Sequence, residues 1–247
     1  MLTPEFPDVV TLLRTYLGKR PRRGPFPLES AFTWSTLLSS QSASMLRGDM
    51  LEIGVEYGTS AFLMLESLTA GERAIFIDIA PKEEWRAGLN GPYSDKGNIQ
   101  FIEGNSLRMQ PGDMPSHCRW IHIDGGHLYK HVANDLLLTA DALAQDGVMV
   151  LDDFFEIRWP GVTAAILDFL KEDSRLTPFL LVNRKLYCTG HPEKAAAYQA
   201  MFAGFLETNR TLIGDPRWWL DVDMLGRRVM VAKLALGEDL CSLEAGS

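Results

Sequence analysis

Two short stretches hold most of the residues able to do chemistry. In WIHIDGGHLY (120–129) an apolar run closes on Asp124, passes two glycines and reaches His127. In GVMVLDDFF (147–155) a second run closes on Asp152 and Asp153. If both runs are neighbouring strands of a parallel sheet, their ends meet in one crevice, with strands about 4.8 Å apart. Three carboxylates that close repel one another and take up protons unless a cation neutralises them. An all-oxygen set suits a hard divalent ion, Mg²⁺ or Mn²⁺, that keeps waters or substrate oxygens among its ligands. His127 adds an imidazole whose ordinary pKa matches proton removal at neutral pH. The plainer alternatives are N-cap bonds from the aspartates and a helix-capping role for His127.

For those ends to meet, the chain must supply a parallel sheet. Apolar runs at 49–55, 73–79, 98–104, 119–124 and 147–153 alternate with helical patterns such as 59–68 and 129–144, as expected of a sheet covered on both faces. In the second helix Val132, Leu136, Ala140 and Leu143 make one apolar stripe. Further on, 161–173 reads as a helix, 178–190 as one strand, 192–207 as a helix and 227–236 as the last strand, which makes seven strands. Residues 1–45, with helices over 8–17 and 31–42, form an N-terminal flank or cap, and 46–247 a single α/β core.

The first strand runs into LEIGVEYGTS (51–60). Gly54 and Gly58 let the backbone turn sharply near a ligand, and Thr59 and Ser60 open a helix whose free N–H groups attract a carboxylate. The second strand ends in Asp78, where an acid can accept both hydroxyls of a ribose. Glu56 stands where a dinucleotide loop of the G-x-G-x-x-G kind needs its second glycine, and a carboxylate there repels a pyrophosphate. A cationic adenosyl ligand without phosphates suits the loop better. Ordinary turn glycines and a solvated strand-end acid are the competing readings.

Composition narrows the class. The chain has 247 residues, 46% hydrophobic and 23% charged, with net charge −8, so a large core is expected and a nucleic-acid surface is not. GKRPRRG (18–24) is the one basic run, read as a solvated linker in preference to an anion-binding arm. Cys118, Cys188 and Cys241 lie far apart in no paired spacing, which fits a reducing, cytoplasmic setting. The N-terminus carries acids and prolines in place of a secretory signal, and no apolar run approaches the roughly 20 residues of a membrane span. Trp159, Trp218 and Trp219 read as core or interface rather than as cleft walls, and His117, His122, His131 and His191 as structural.

LEIGVEYGTS, FIDI, FIEGNS, IDGGHLY and GVMVLDD, in that order, resemble a class I S-adenosylmethionine-dependent methyltransferase over roughly residues 48–190. The closer likeness is to the metal-dependent sugar O-methyltransferases of the macrocin and mycinamicin type. The resemblance implies a Rossmann-like seven-stranded, mostly parallel sheet with helices on both faces and the last strand antiparallel. It implies that Glu52, Gly54, Gly58, Thr59, Ser60, Asp78, Asn105, Ser106 and Asp124 hold S-adenosyl-L-methionine. Of these, Asp78 takes the ribose, and Asn105 with Ser106 lies near the adenine. Asp124, Asp152 and Asp153 are implied as ligands of Mg²⁺ or Mn²⁺, and His127 as the catalytic base. Gly126 departs from the pattern, since many relatives carry an aspartate there. The implied acceptor is a small molecule with hydroxyl groups, a sugar or other vicinal diol; neither nucleic acid nor membrane is a partner, and homo-oligomer formation is left open. An NAD-dependent oxidoreductase and a ligand-binding module without turnover are the alternatives.

Overall fold

A computed structural model describes residues 5–213 and 218–245. The first five strands are β1 (Asp49–Ile53), β2 (Ala74–Asp78), β3 (Ile99–Glu103), β4 (Cys118–Ile123) and β5 (Leu143–Leu151). All pair in parallel, in the order β3-β2-β1-β4-β5. The runs of β1, β2 and β4 are apolar and buried on both faces because both faces are covered, whereas the edge strand β3 is only partly buried. Met50, Phe76, Trp120 and Val150 face one core, and Leu51, Ile75, Ile121 and Leu151 the other.

The helices supply the two covers. On the first face lie α1 (Phe6–Leu17), α2 (Leu28–Ala43), α3 (Thr59–Ser67) and α4 (Glu83–Asn90), each sending side chains into that core. The second face is covered by α5 (Tyr129–Thr139) and α6 (Pro160–Glu172). After them, α7 (Pro192–Thr208) returns to the first face, and the short α8 (Arg210–Ile213) and α9 (Glu238–Ala245) complete the chain. No helix among the described residues is long and apolar enough to cross a membrane.

Among the described residues the sheet has nine strands, where the sequence reading gives seven. The segment 178–190, read as one strand, is a hairpin of β6 (Thr177–Val182) and β7 (Lys185–Thr189). Its two-residue turn places Asn183 and Arg184 at φ of 51° and 62°, the backbone a tight hairpin turn demands. A second such turn at Leu225 and Gly226 joins β8 (Trp218–Met224) to β9 (Arg227–Lys233). The full order is β3-β2-β1-β4-β5-β7-β6-β9-β8. The seventh strand is antiparallel to its neighbours, as the resemblance implies. The run read as the last strand is β9, which lies parallel to β6. Helix α5 also stops earlier than its apolar stripe predicts, because Leu143 already pairs with Cys118 in the sheet.

Register sets the site. Ile53 pairs with Ile77 and Ile123, and Ile123 with Leu151. The following residues, Gly54, Asp78, Asp124 and Asp152, therefore emerge in a row along the carboxyl edge of the sheet. Gly54 is the tightest point of that row. Its φ is +92°, and a Cβ there would stand 2.0 Å from the carbonyl oxygen of Asp124. Gly54→Ala is expected to cost about 1–3 kcal/mol in urea denaturation, through backbone strain and the forced separation of β1 from β4.

Candidate active site

A cavity of about 610 Å³ opens along this edge. One end is walled by Gly54, Glu56, Thr59, Ser60, Asp78, Asn105 and Ser106, the other by Asp124, His127, Asp152 and Asp153. Pro25, Phe26 and Pro27, from the link between α1 and α2, also line it. Two residues of the expected set stand behind the wall. Gly58, at φ +82°, packs where a Cβ would strike Trp85 and Phe62. Glu52 is wholly buried, accepting a hydrogen bond from Ser60 Oγ and meeting His122 Nδ1 at 2.6 Å.

Asp78 does structural work at the first end. Its Oδ2 accepts the backbone N–H groups of Val55 (2.7 Å) and Glu56 (2.8 Å), and its Oδ1 that of Ala80 (2.7 Å). A carboxylate has about four acceptor positions, so three of those on Asp78 are occupied, two in shaping the Gly54 loop and one in the turn after β2. Asn105 Oδ1 likewise accepts the N–H of Leu107, fixing the turn that follows β3.

At the other end the acids divide into two settings. Asp124 and Asp153 face the cavity with His127 between them, its Nε2 at 3.9 Å from Asp124 Oδ1 and 3.2 Å from Asp153 Oδ2. Asp153 holds φ at +55°, a left-handed conformation that aspartate tolerates better than most residues. Asp152 lies deeper. It pairs with Lys185 Nζ, and its Oδ2 stands 3.5 Å from His122 Nε2. Ligand atoms of His122, Asp124 and Asp152, and of Asp124, His127 and Asp153, each lie within 4.8 Å of one another.

The charges pull on one another. Burial, and then the Asp152 charge, raise the Asp124 carboxyl above its ordinary range. Burial also opposes ionisation of Asp152, but Lys185 and His122 hold it well below the usual carboxylate range. Burial lowers the His122 imidazole, yet Asp152 and Glu52 outweigh it and raise the pKa to about 9. Asp124 first, and Asp153 second, raise His127 to about 10. The expectation of a His127 near its ordinary pKa is therefore corrected: the neighbouring Asp124 and Asp153 raise it. As a donor set, Asp124 and Asp153 fit a hard cation, two cavity-facing carboxylates with room for further oxygens.

Sequence reasoning missed several neighbours. Lys185 was hidden inside a segment read as one strand. His122 and His131, read as structural, belong to the cluster and the cavity wall respectively. His131 fills the space beside Gly126, since a Cβ there would lie 2.0 Å from His131 Nδ1. Trp159, read as core, stacks on His127 with centroids 4.8 Å apart and planes at 13°. Trp219 is partly buried against the core, whereas the side chain of Trp218 lies outside the described residues.

Residues 51–154, which carry almost the whole of this edge, match a family model described as a methyltransferase domain. Solved structures share the fold at low identity. The O-methyltransferase NovP is 15% identical with a TM-score of 0.57, covering 73% of this chain and 97% of its own. An O-methyltransferase from Bacillus cereus in complex with SAH is 15% identical at 0.54, covering 77% and 94%. CalS11, described as a TDP-rhamnose 3'-O-methyltransferase, is 17% identical at 0.50, covering 76% and 96%. No curated protein matches the chain significantly. The fold is thus the one these O-methyltransferases share, and the site-bearing segment is the part that resembles a methyltransferase domain.

Proposed function

We propose that the protein is an S-adenosylmethionine-dependent O-methyltransferase acting on a hydroxyl of a small-molecule acceptor, a sugar or other vicinal diol, with the help of Mg²⁺ or Mn²⁺. The observation that carries this is one continuous cavity joining the Gly54–Asp78–Asn105 wall to the Asp124–His127–Asp153 cluster. The cofactor supplies an electrophilic methyl group on a sulfonium. The negative side chain of Glu56 on the wall suits that positive charge and disfavours a pyrophosphate, which weighs against NAD.

The chain's own residues divide the remaining work. Gly54 brings backbone close to the cofactor end, and Asp78 holds the loop shape by accepting the N–H groups of Val55 and Glu56. Pro25, Phe26 and Pro27 add apolar surface to the cavity wall. A divalent ion at the acid cluster would supply Lewis-acid polarisation of the acceptor, and adjacent hydroxyls favour such an ion because two oxygens can chelate it. His127, oriented by Trp159, is the proton acceptor. Asp124 and Asp153 raise its pKa, and positive charge beside them would offset that pull, so cation and base are coupled. Support for a sugar hydroxyl comes from CalS11, a rhamnose O-methyltransferase by description.

Calorimetric titration with S-adenosylhomocysteine tests the cofactor. Binding is expected for the wild type and not for NADH, and Asp78→Ala is expected to weaken it at least about tenfold, or 1.4 kcal/mol. Unchanged affinity in that variant would move the nucleoside away from β2, and tight NADH binding would favour the oxidoreductase reading.

A further inference from the structure

Lys185 opens β7 directly after the hairpin turn, and that turn carries it to the acid cluster. Its side chain is 5% exposed, and its ammonium donates to Asp152 Oδ2. The Phe26 ring covers the ammonium at 5.5 Å from the centroid. The same carboxylate oxygen faces His122 Nε2 at 3.5 Å, while Asp152 Oδ1 accepts the backbone N–H of Asp153 at 2.7 Å. Both oxygens of Asp152 are therefore engaged inside the fold. Asp124 and Asp153 differ, since the cation facing both is the half-exposed His127 at the cavity wall.

A desolvated ammonium depends on its carboxylate. A divalent ion bound to Asp152 would also sit within a few ångströms of that ammonium, in surroundings where like charges repel strongly. Resting on the reading of this cluster as a cation site, we propose that Lys185 is a positioning residue that keeps Asp152 out of the ion's ligand set. Asp124 and Asp153 then hold the ion alone. A site of two carboxylates binds the ion weakly by itself and leaves more coordination positions to acceptor oxygens, so the ion is held well only together with a chelating acceptor.

The test is Mn²⁺ titration of the full chain, with neither cofactor nor acceptor present, followed by electron paramagnetic resonance of free Mn²⁺. Asp124→Asn and Asp153→Asn should each weaken binding about tenfold or more, and Asp152→Asn by no more than about threefold. Lys185→Met should tighten binding about tenfold by releasing Asp152, and Lys185→Met/Asp152→Asn should return to within about threefold of wild type. Should Lys185→Met fold poorly by circular dichroism, Lys185→Gln replaces it. A lysine that only fills space leaves Mn²⁺ affinity unmoved in these variants, which overturns the proposal. So does an Asp152→Asn loss as large as that of Asp124→Asn, or Mn²⁺ binding undetectable in both wild type and Lys185→Met. Binding seen only after Lys185 is replaced supports it. Calorimetry with S-adenosylhomocysteine on the same samples separates the two readings, because retained binding leaves the methyltransferase proposal standing whatever the Mn²⁺ result.

Discussion

Replacing His127 by alanine is expected to lower kcat by about 10² to 10⁴ on a sugar acceptor while leaving S-adenosylhomocysteine affinity unchanged. The direction follows from position: His127 lies between Asp124 and Asp153 at the acid end of the cavity. The size follows from the acceptor, because a sugar hydroxyl is a poor acid and gains most from a placed proton acceptor. A phenolic acceptor gives up its proton more readily, so the loss should shrink there. The measurement is kcat for wild type and variant on both acceptor types across a pH series. Near-normal turnover of the sugar by His127→Ala would transfer the role to another group, with His131, which fills the space beside Gly126, the next to test.

Much of this site was legible because its logic is local. Gly54, Asp78, Asp124 and Asp152 each follow directly on an apolar run, and parallel pairing of those runs is enough to put them in one row. The apolar runs of β1, β2 and β4 announce themselves because both faces are buried. What stayed hidden depends on register or on turn chemistry. Asn183-Arg184 lacks the glycine that usually marks a two-residue turn, so β6 and β7 merged into one strand and Lys185 lost its place at the edge. His122 reads as an ordinary strand residue until register sets it beside Glu52. In α5 the stripe through Ala140 and Leu143 fits either period over so short a span, and pairing with Cys118 decides for strand.

The strongest hidden contact lies at the opposite edge of the sheet. Glu72→Gln is expected to destabilise the protein by about 3–5 kcal/mol, because it leaves the buried Arg119 guanidinium without its counter-charge. Arg119 is 1% exposed, and it donates from Nε to Glu72 Oε1 at 2.7 Å and from Nη2 to Glu72 Oε2 at 2.9 Å. It also donates to Gln41 Oε1 at 3.0 Å and to the Ser67 carbonyl at 2.9 Å, tying α2 and the end of α3 to β4. Glu72 in turn accepts the N–H groups of Thr69 and Gly48. In a protein of this size the melting temperature should fall by about 6–20 °C. Exchanging both partners for apolar residues, Glu72→Leu with Arg119→Met, should recover much of the loss, since no charge is then left buried alone. The pH dependence carries a sign that checks the cause. Burial alone would raise the Glu72 pKa, but Arg119 outweighs it and holds it below the ordinary value. Stability from the pair is therefore fully present above the unfolded-state pKa of about 4.3 and is lost as pH falls through the lower folded-state value. The difference in urea-unfolding free energy between wild type and Glu72→Gln should accordingly be constant from pH 6 to 8 and shrink in acid. A difference that instead grows in acid, or a variant as stable as wild type at pH 7, would mean that the ion pair does not stabilise the fold.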